Sequence, residues 1–418
     1  MDNVKKLGNE NVNIKNHVTR IKSIAITSVG IVSPIGIGFE SFEQALFKGT
    51  FGVSTIQSFD ASESGYKYAC EVKNFQPERY IGSKYLQYYD RITKLTLVAS
   101  QLALKNINDF SNFGVVLGTG FSGLDSIIGF ERNGIRNGLS QINPMSIANT
   151  VQNTPANQVN IKFGMTNLSE TITSGICSGM DAIGFSRQYL ASEDWSILCG
   201  GAEALCMEIF GGLGALNMLA ERPMDIKSPA CKPFDVNRSG IVPGEGAVMF
   251  VLESKEHAKH KKKEILAEII GYGCSFDMSS ALTGPVRAME MALVDSGIQP
   301  DQVDYICASA SGSIDGDRKE LRALKRVFSS SLKNIPISSI KPLIGETFGA
   351  SGAFQLAAAI LMIKYNTIVP TYCFDRIEDE FINELWIPTN ILKKKLNICM
   401  LNAFDECGRY STLIIRRP

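Results

Sequence analysis

The chain has 418 residues, of which 44% are hydrophobic, enough for a large core and too many for one small domain. Lysine plus arginine and aspartate plus glutamate number 42 each, so the net charge is zero and nothing favours nucleic acid or an anionic membrane as a partner. Ten scattered cysteines, with no CxxC pair and no cluster beside histidine, indicate neither a disulfide framework nor a zinc site, so no metal or cofactor is expected and a reducing cytoplasm is the expected location.

Residues 1–22 are rich in Asn and Lys and read as a mobile tail. From Ser23 onward apolar strand patterns alternate with helical ones. IAITSV is a β-branched strand followed by a Gly/Pro loop, and FESFEQALFKG has helical spacing ending in Gly. NFGVVLGTG is strand-like, and TITSGICSGMDAIGFSRQYLASEDWSILCGGAEAL reads as strand, tight turn, helix, strand. AVMFVLES closes the first half, and the Lys-rich KEHAKHKKKEI (255–265) reads as a solvated helix and junction. The theme then repeats, with EILAEIIGYG as strand, PVRAMEMALVDSG as helix and VDYICASASG as a strand entering a Gly/Ser loop. SIKPLIGETFGASGAFQLAAAILMI follows as a loop into a helix, and NICMLNAF with STLIIRRP as a last strand pair. The run AFQLAAAILMI (353–363) is too short to span a bilayer. Alternating strands and helices imply an α/β fold with two related halves, 23–262 and 263–418.

Six stretches, in order, resemble the β-ketoacyl synthases of the thiolase fold: IAITSVGIVSPIG, LCGGAEA (198–204), KPFDVNRSGIVPGEGAVMFVLE (232–253), VDYICASASGSIDGD (303–317), SSIKPLIGETFGASGA (338–353) and the closing LNAF…STLIIRR. The resemblance implies two duplicated α/β halves in five layers, α-β-α-β-α. Such enzymes use one Cys to accept an acyl chain and two neutral His to stabilise the enolate formed when a malonyl group loses CO2.

The chemistry therefore demands two histidines near a thiol, and this chain meets neither requirement at the matching positions. Its three histidines are His17 in the tail and His257 and His260 in the Lys-rich run. The first catalytic His position reads Ser309 and the second Glu346, after the retained Lys341 and Gly345. Counting from either side places the nucleophile position at Ile176, with Cys177 next to it and read as a small packed side chain, or else as a displaced nucleophile. The last loop, glycine-rich in the family, reads DECG (405–408), with Phe404 retained and Asp405 and Glu406 in place of small residues. Glu346 either favours a helix start through the macrodipole, the preferred reading, or pairs with Lys341. Asp317 and Glu245 match retained positions and read as structural.

Loss of the site with retention of the scaffold resembles the chain length factor, the KS-beta subunit of type II polyketide synthases. That resemblance implies a non-catalytic subunit without autonomous condensing activity. It would form a heterodimer with a catalytic ketosynthase (KS-alpha), meet acyl carrier protein mainly through that partner, and shape a tunnel that limits chain length. Leu124, Ile127, Ile128 and Phe130 are the tunnel residues it implies, and segments 142–161 and 169–175 the interface. Two alternatives stand beside it: an active β-ketoacyl-ACP synthase using Cys177 with an atypical site, and a scaffold that binds acyl groups or carrier protein without setting length.

Overall fold

The computed structural model describes residues 23–192, 195–220, 231–279 and 281–418. The tail 1–22, with His17, lies outside the described residues. Ten strands form one sheet path: β1 Ile24–Ser33, β2 Phe113–Gly118, β3 Ser169–Ile172, β4 Ser196–Glu203, β5 Gly246–Ser254, β6 Ala267–Phe276, β7 Tyr305–Cys307, β8 Ile337–Ser338, β9 Ile398–Phe404 and β10 Arg409–Arg416, with a short strand Gly36–Ile37 paired to β1.

Their spatial order is β8-β7-β9-β10-β6-β1-β5-β4-β2-β3. Counted within each half, both sets of five strands follow the same order, third-second-fourth-fifth-first, so the duplication read from the sequence is a repeated topology. The two sets meet where β1 and β6 pair antiparallel, Ile24 against Ile269 and Ala25 against Glu268. Within each half two parallel ladders, β2 with β3 and β4, and β7 with β8 and β9, adjoin antiparallel ones. Burial on both faces explains why these strands are almost continuously apolar rather than alternating.

The helices complete the layers. α1 (Arg91–Ala103) covers β1 and β5, α2 (Leu124–Asn137) and α3 (Thr154–Phe163) lie between β2 and β3 in sequence, and α4 (Ser178–Tyr189) follows β3. In the second half α5 (Thr283–Ser296) covers β6 and β10, α6 (Ile314–Phe328) packs beside α5, and α7 (Ser351–Tyr365) precedes β9. α4 and α7 occupy equivalent places in the repeat and pack on each other between the two sets of strands. This is the thiolase-like, five-layered α/β fold expected.

The central layer decides the fate of the apolar run. The run 353–363 alone is too short to cross a membrane, and with its lead-in turn Phe348–Tyr365 is long and apolar enough by length and composition. Yet 89% of that window is buried, and Ser351 to Ile363 of α7 are buried without a break. A helix apolar on all sides is the pattern of a core helix sandwiched between sheets.

Candidate active site

The amino ends of α4 and α7 and the loops after β7 and β9 converge on one cleft of about 220 Å³. Its walls include Ile176, Ser309, Asp317, Glu346, Phe348, Phe404, Asp405 and Glu406. Four of the residues singled out in the sequence, Ile176, Ser309, Glu346 and Phe404, thus come together from four separate loops. Asp317 joins them, whereas Cys177, Lys341, Glu245 and the four α2 residues are not on the cleft wall.

The α4 end is built by a tight turn. Gly175 adopts φ +61°, and Gly175–Cys177 forms a single turn of 3₁₀ helix leading into α4. Ser178 Oγ accepts from Ser174 N at 2.8 Å and donates to Gly175 O at 2.7 Å, while Ser174 Oγ donates to the buried Asp181 at 2.6 Å. Gly118 lets β2 approach this turn, since a Cβ there would lie 2.2 Å from Ser178 O. The turn directs Ile176 to the cleft and Cys177 to the core. The Cys177 side chain is 0% exposed and its thiol donates to Ala403 O at 2.9 Å. Burial, reinforced by the charges of Asp181 and Asp405, pushes that thiol well above its ordinary pKa. In this arrangement Cys177 is a protonated, packed thiol.

The opposite wall carries the two positions where histidines were sought. Ser309 is buried; its Oγ accepts from Phe404 N at 2.9 Å and its N–H donates to Glu320 at 3.0 Å. Lys341 Nζ donates to Ser309 O and lies 2.5 Å from Glu346 Oε2. Glu346 Oε1 accepts from Phe348 N at 2.9 Å and from Ser351 Oγ. The preferred sequence reading of Glu346 is therefore corrected. It does serve the segment leading into α7, but it also forms the buried pair with Lys341, because both side chains are withdrawn from solvent and within reach of each other.

Buried carboxylates that sequence reasoning missed surround this floor. Glu320 accepts from Ser309 N, Ala310 N and Asn402 Nδ2, yet burial outweighs these donors and raises its pKa to about 7. Glu203, in the quoted LCGGAEA stretch, accepts from Gly120 N at 2.7 Å and Gly349 N at 3.1 Å and is likewise raised to about 7 by burial. Asp317 accepts from Phe234 N, Ser311 N and Gly312 N, a loop-bracing role, with its pKa raised to about 6 by burial. Glu245 accepts from Val72 N at 2.8 Å and from Arg91 Nε at 2.7 Å, bracing two loops away from the cleft. The only signal in sequence was a lone acid in an apolar stretch for Glu203 and one of several acids in a charged helix for Glu320, patterns that solvated residues share.

The residues named for a tunnel lie elsewhere. None of α2 is fully buried. Leu124 packs on the cluster that holds Phe210, Phe348 and Ile176, while Ile127, Ile128 and Phe130 are half-buried on the same helix. His257 and His260 sit on the short helix Lys255–His260, remote from the cleft wall.

The pattern of the Beta-ketoacyl synthase N-terminal domain matches residues 22–258, and that of its C-terminal domain residues 266–375. The chain is 31% identical to the 3-oxoacyl-[acyl-carrier-protein] synthase 2 of Coxiella burnetii, a match that covers 95% of this chain and 99% of that protein. Among solved structures it is similar to a β-ketoacyl synthase from Burkholderia phymatum, with TM-score 0.86, 28% identity and coverage of 95% and 100%. It is also similar to the ishigamide ketosynthase/chain length factor, with TM-score 0.86, 25% identity and coverage of 95% and 99%. These findings overturn the expected role of a non-catalytic chain length factor, because the full-length curated relative is a 3-oxoacyl-ACP synthase; they favour the alternative of an active synthase. By its sequence pattern, its duplicated fold and the convergence of four loops on one cleft, the chain belongs to the β-ketoacyl synthase family.

Proposed function

We propose that this protein is a β-ketoacyl-ACP synthase of atypical site, an acyltransferase that takes an acyl chain from acyl carrier protein and extends it to a 3-oxoacyl chain. The observation that carries this reading is the cleft itself. Ile176, Ser309, Glu346 and Phe404 reach it from four loops, in a chain whose full-length relative acts as a synthase by name. Acyl transfer moves the chain from the carrier's thioester to a protein thiolate and frees the carrier thiol. Loss of CO2 from a malonyl group then supplies the carbanion that attacks the acyl carbonyl and releases the protein thiol.

Two thiols lie near the cleft, Cys407 on its wall and Cys177 behind the Ile176 turn, and Cys177 is the one next to the family's nucleophile position. Its reaction requires the Gly175–Cys177 turn to exchange the Ala403 O bond for an opening into the cleft, so the resting arrangement holds the nucleophile in reserve. Ser309 and Glu346 stand where neutral donors serve in the family, and the retained Lys341 pairs with Glu346. The Lys341 ammonium lies behind that wall, and its pairing with Glu346 tempers the carboxylate's repulsion of a developing enolate.

Acyl carrier protein is the expected partner. The edge of β3, unpaired among the described residues, and the exposed Met145, Ile147, Val151 and Ile161 support docking of a second ketosynthase-fold chain there. Halves 23–262 and 263–418 are read as one folding unit joined at β1–β6. The described cysteines are free, and with the buried α7 this supports a cytoplasmic location.

The deciding assay supplies octanoyl carrier protein and malonyl carrier protein and records product and intact protein masses. A 3-oxoacyl product with acyl mass on this chain, both lost in Cys177→Ala, supports the reading. No product and no acyl adduct, with octanoyl chains bound but unchanged, reduces the protein to an acyl-binding member of the family.

A further inference from the structure

We propose that the turn Asp405–Gly408 is a self-inhibitory latch across the cleft, in which the Asp405 carboxylate occupies the backbone donor that an acyl carbonyl must use. This rests on the acyl reading above and adds a specificity-determining residue to it.

Ile176 N–H donates to Asp405 Oδ2 at 2.8 Å, although 229 positions separate the two residues. Both line the cleft, so the donor faces the space into which an acyl group would enter. The fit is close: a Cβ on Gly175 would lie 1.9 Å from Asp405 Oδ2. The other carboxylate oxygen accepts from Cys407 N at 2.7 Å, and the turn is closed by Asp405 N to Arg409 O at 2.8 Å and Gly408 N to Asp405 O at 3.1 Å. The next residue, Glu406, accepts from Ser313 Oγ on the facing wall, and Ser313 caps α6. Two consecutive acids of one turn therefore hold opposite walls. The nearby Arg409 guanidinium is committed to Asp181, at 2.9 Å and 3.2 Å, rather than to Asp405.

A carboxylate is a stronger acceptor than a neutral carbonyl, so Asp405 outcompetes a thioester oxygen for the Ile176 N–H. An acyl group polarised at this point must displace the turn. Asp405 is half-buried and Glu406 and Cys407 are exposed, so the outer side of the turn borders solvent.

The test compares two probes on the full chain by calorimetry: octanoyl-pantetheine, and the octyl-pantetheine thioether, which lacks the carbonyl. Asp405→Ala is expected to bind the thioester about tenfold more tightly and the thioether unchanged. Asp405→Asn, which keeps the shape and loses the charge, is expected to give a smaller gain of the same kind, and carries the test if the alanine variant does not fold. Binding of both probes with equal gains, or with none, overturns the latch and leaves the acyl reading standing. Binding of neither probe to any variant overturns both.

Discussion

Lys341 Nζ and Glu346 Oε2 lie 2.5 Å apart in the floor of the cleft, their side chains 2% and 1% exposed. A charge pair so deep costs desolvation on both sides, and it persists because each partner has further bonds: Ser309 O for the ammonium, Phe348 N and Ser351 Oγ for the carboxylate. The pair ties the loop after β7 to the lead-in of α7, and with it both walls of the cleft.

Removing one member strands the other. Lys341→Met is expected to destabilise the fold by about 3–5 kcal/mol, read as a shift of the urea midpoint, because Glu346 then keeps a buried uncompensated charge. The double variant Lys341→Met, Glu346→Gln is expected to recover more than half of that loss. Equal destabilisation by single and double variants contradicts the pairing energetics.

Alkylation ranks the thiols. Cys407 is exposed and Cys177 is fully buried with its thiol bonded to Ala403 O. Iodoacetamide followed by peptide mass analysis is expected to label Cys407 in the native protein and Cys177 only in denaturant. Native labelling of Cys177 at a rate near that of Cys407 shows instead that the Gly175–Cys177 turn opens readily without substrate.

A thiol moved one residue back meets the cleft. Ile176→Cys places sulfur on the cleft wall, where octanoyl-pantetheine is expected to acylate it faster than it acylates the parent protein, with the adduct placed at position 176 by peptide mass analysis. The adjacent Asp405 charge opposes thiolate formation, so adding Asp405→Asn is expected to raise the acylation rate several-fold. No adduct in either variant shows that the cleft does not admit the thioester.

Stability depends on pH through the buried acids. Glu203 and Glu320 have pKa values raised from 4.5 to about 7, and Asp317 from 3.8 to about 6. A raised value means that the native state binds more protons than the unfolded chain between the ordinary and the raised pKa. Stability from these groups is therefore present at the acid end and is lost as pH rises through that window. Melting temperature is expected to fall from about pH 5 to about pH 7. Glu320→Gln is expected to lower the melting temperature overall, because its amide cannot accept from every donor present, and also to flatten the slope. An unchanged slope shows that Glu320 stays ionised.

Periodicity and turn chemistry are local, so the sequence by itself determined the element order, the strand–turn–helix at 169–189, the two related halves and the family. It also brought Ile176, Ser309 and Glu346 to notice as unusual residues at matching positions. The tertiary structure decided what faces what. Ile176 looks into the cleft and Cys177 into the core because one 3₁₀ turn sets their directions. The run 353–363 is a central helix because strands of both halves and the helix Ser178–Tyr189 cover it, which no window of sequence records. The bond from Ile176 N–H to Asp405, the Lys341–Glu346 pair and the burial of Glu203 and Glu320 depend on how the repeated five-strand orders bring distant loops together. A side chain's charge, donors and exposure come from those neighbours, and neighbours separated by many positions are set by sheet order and register, not by local pattern.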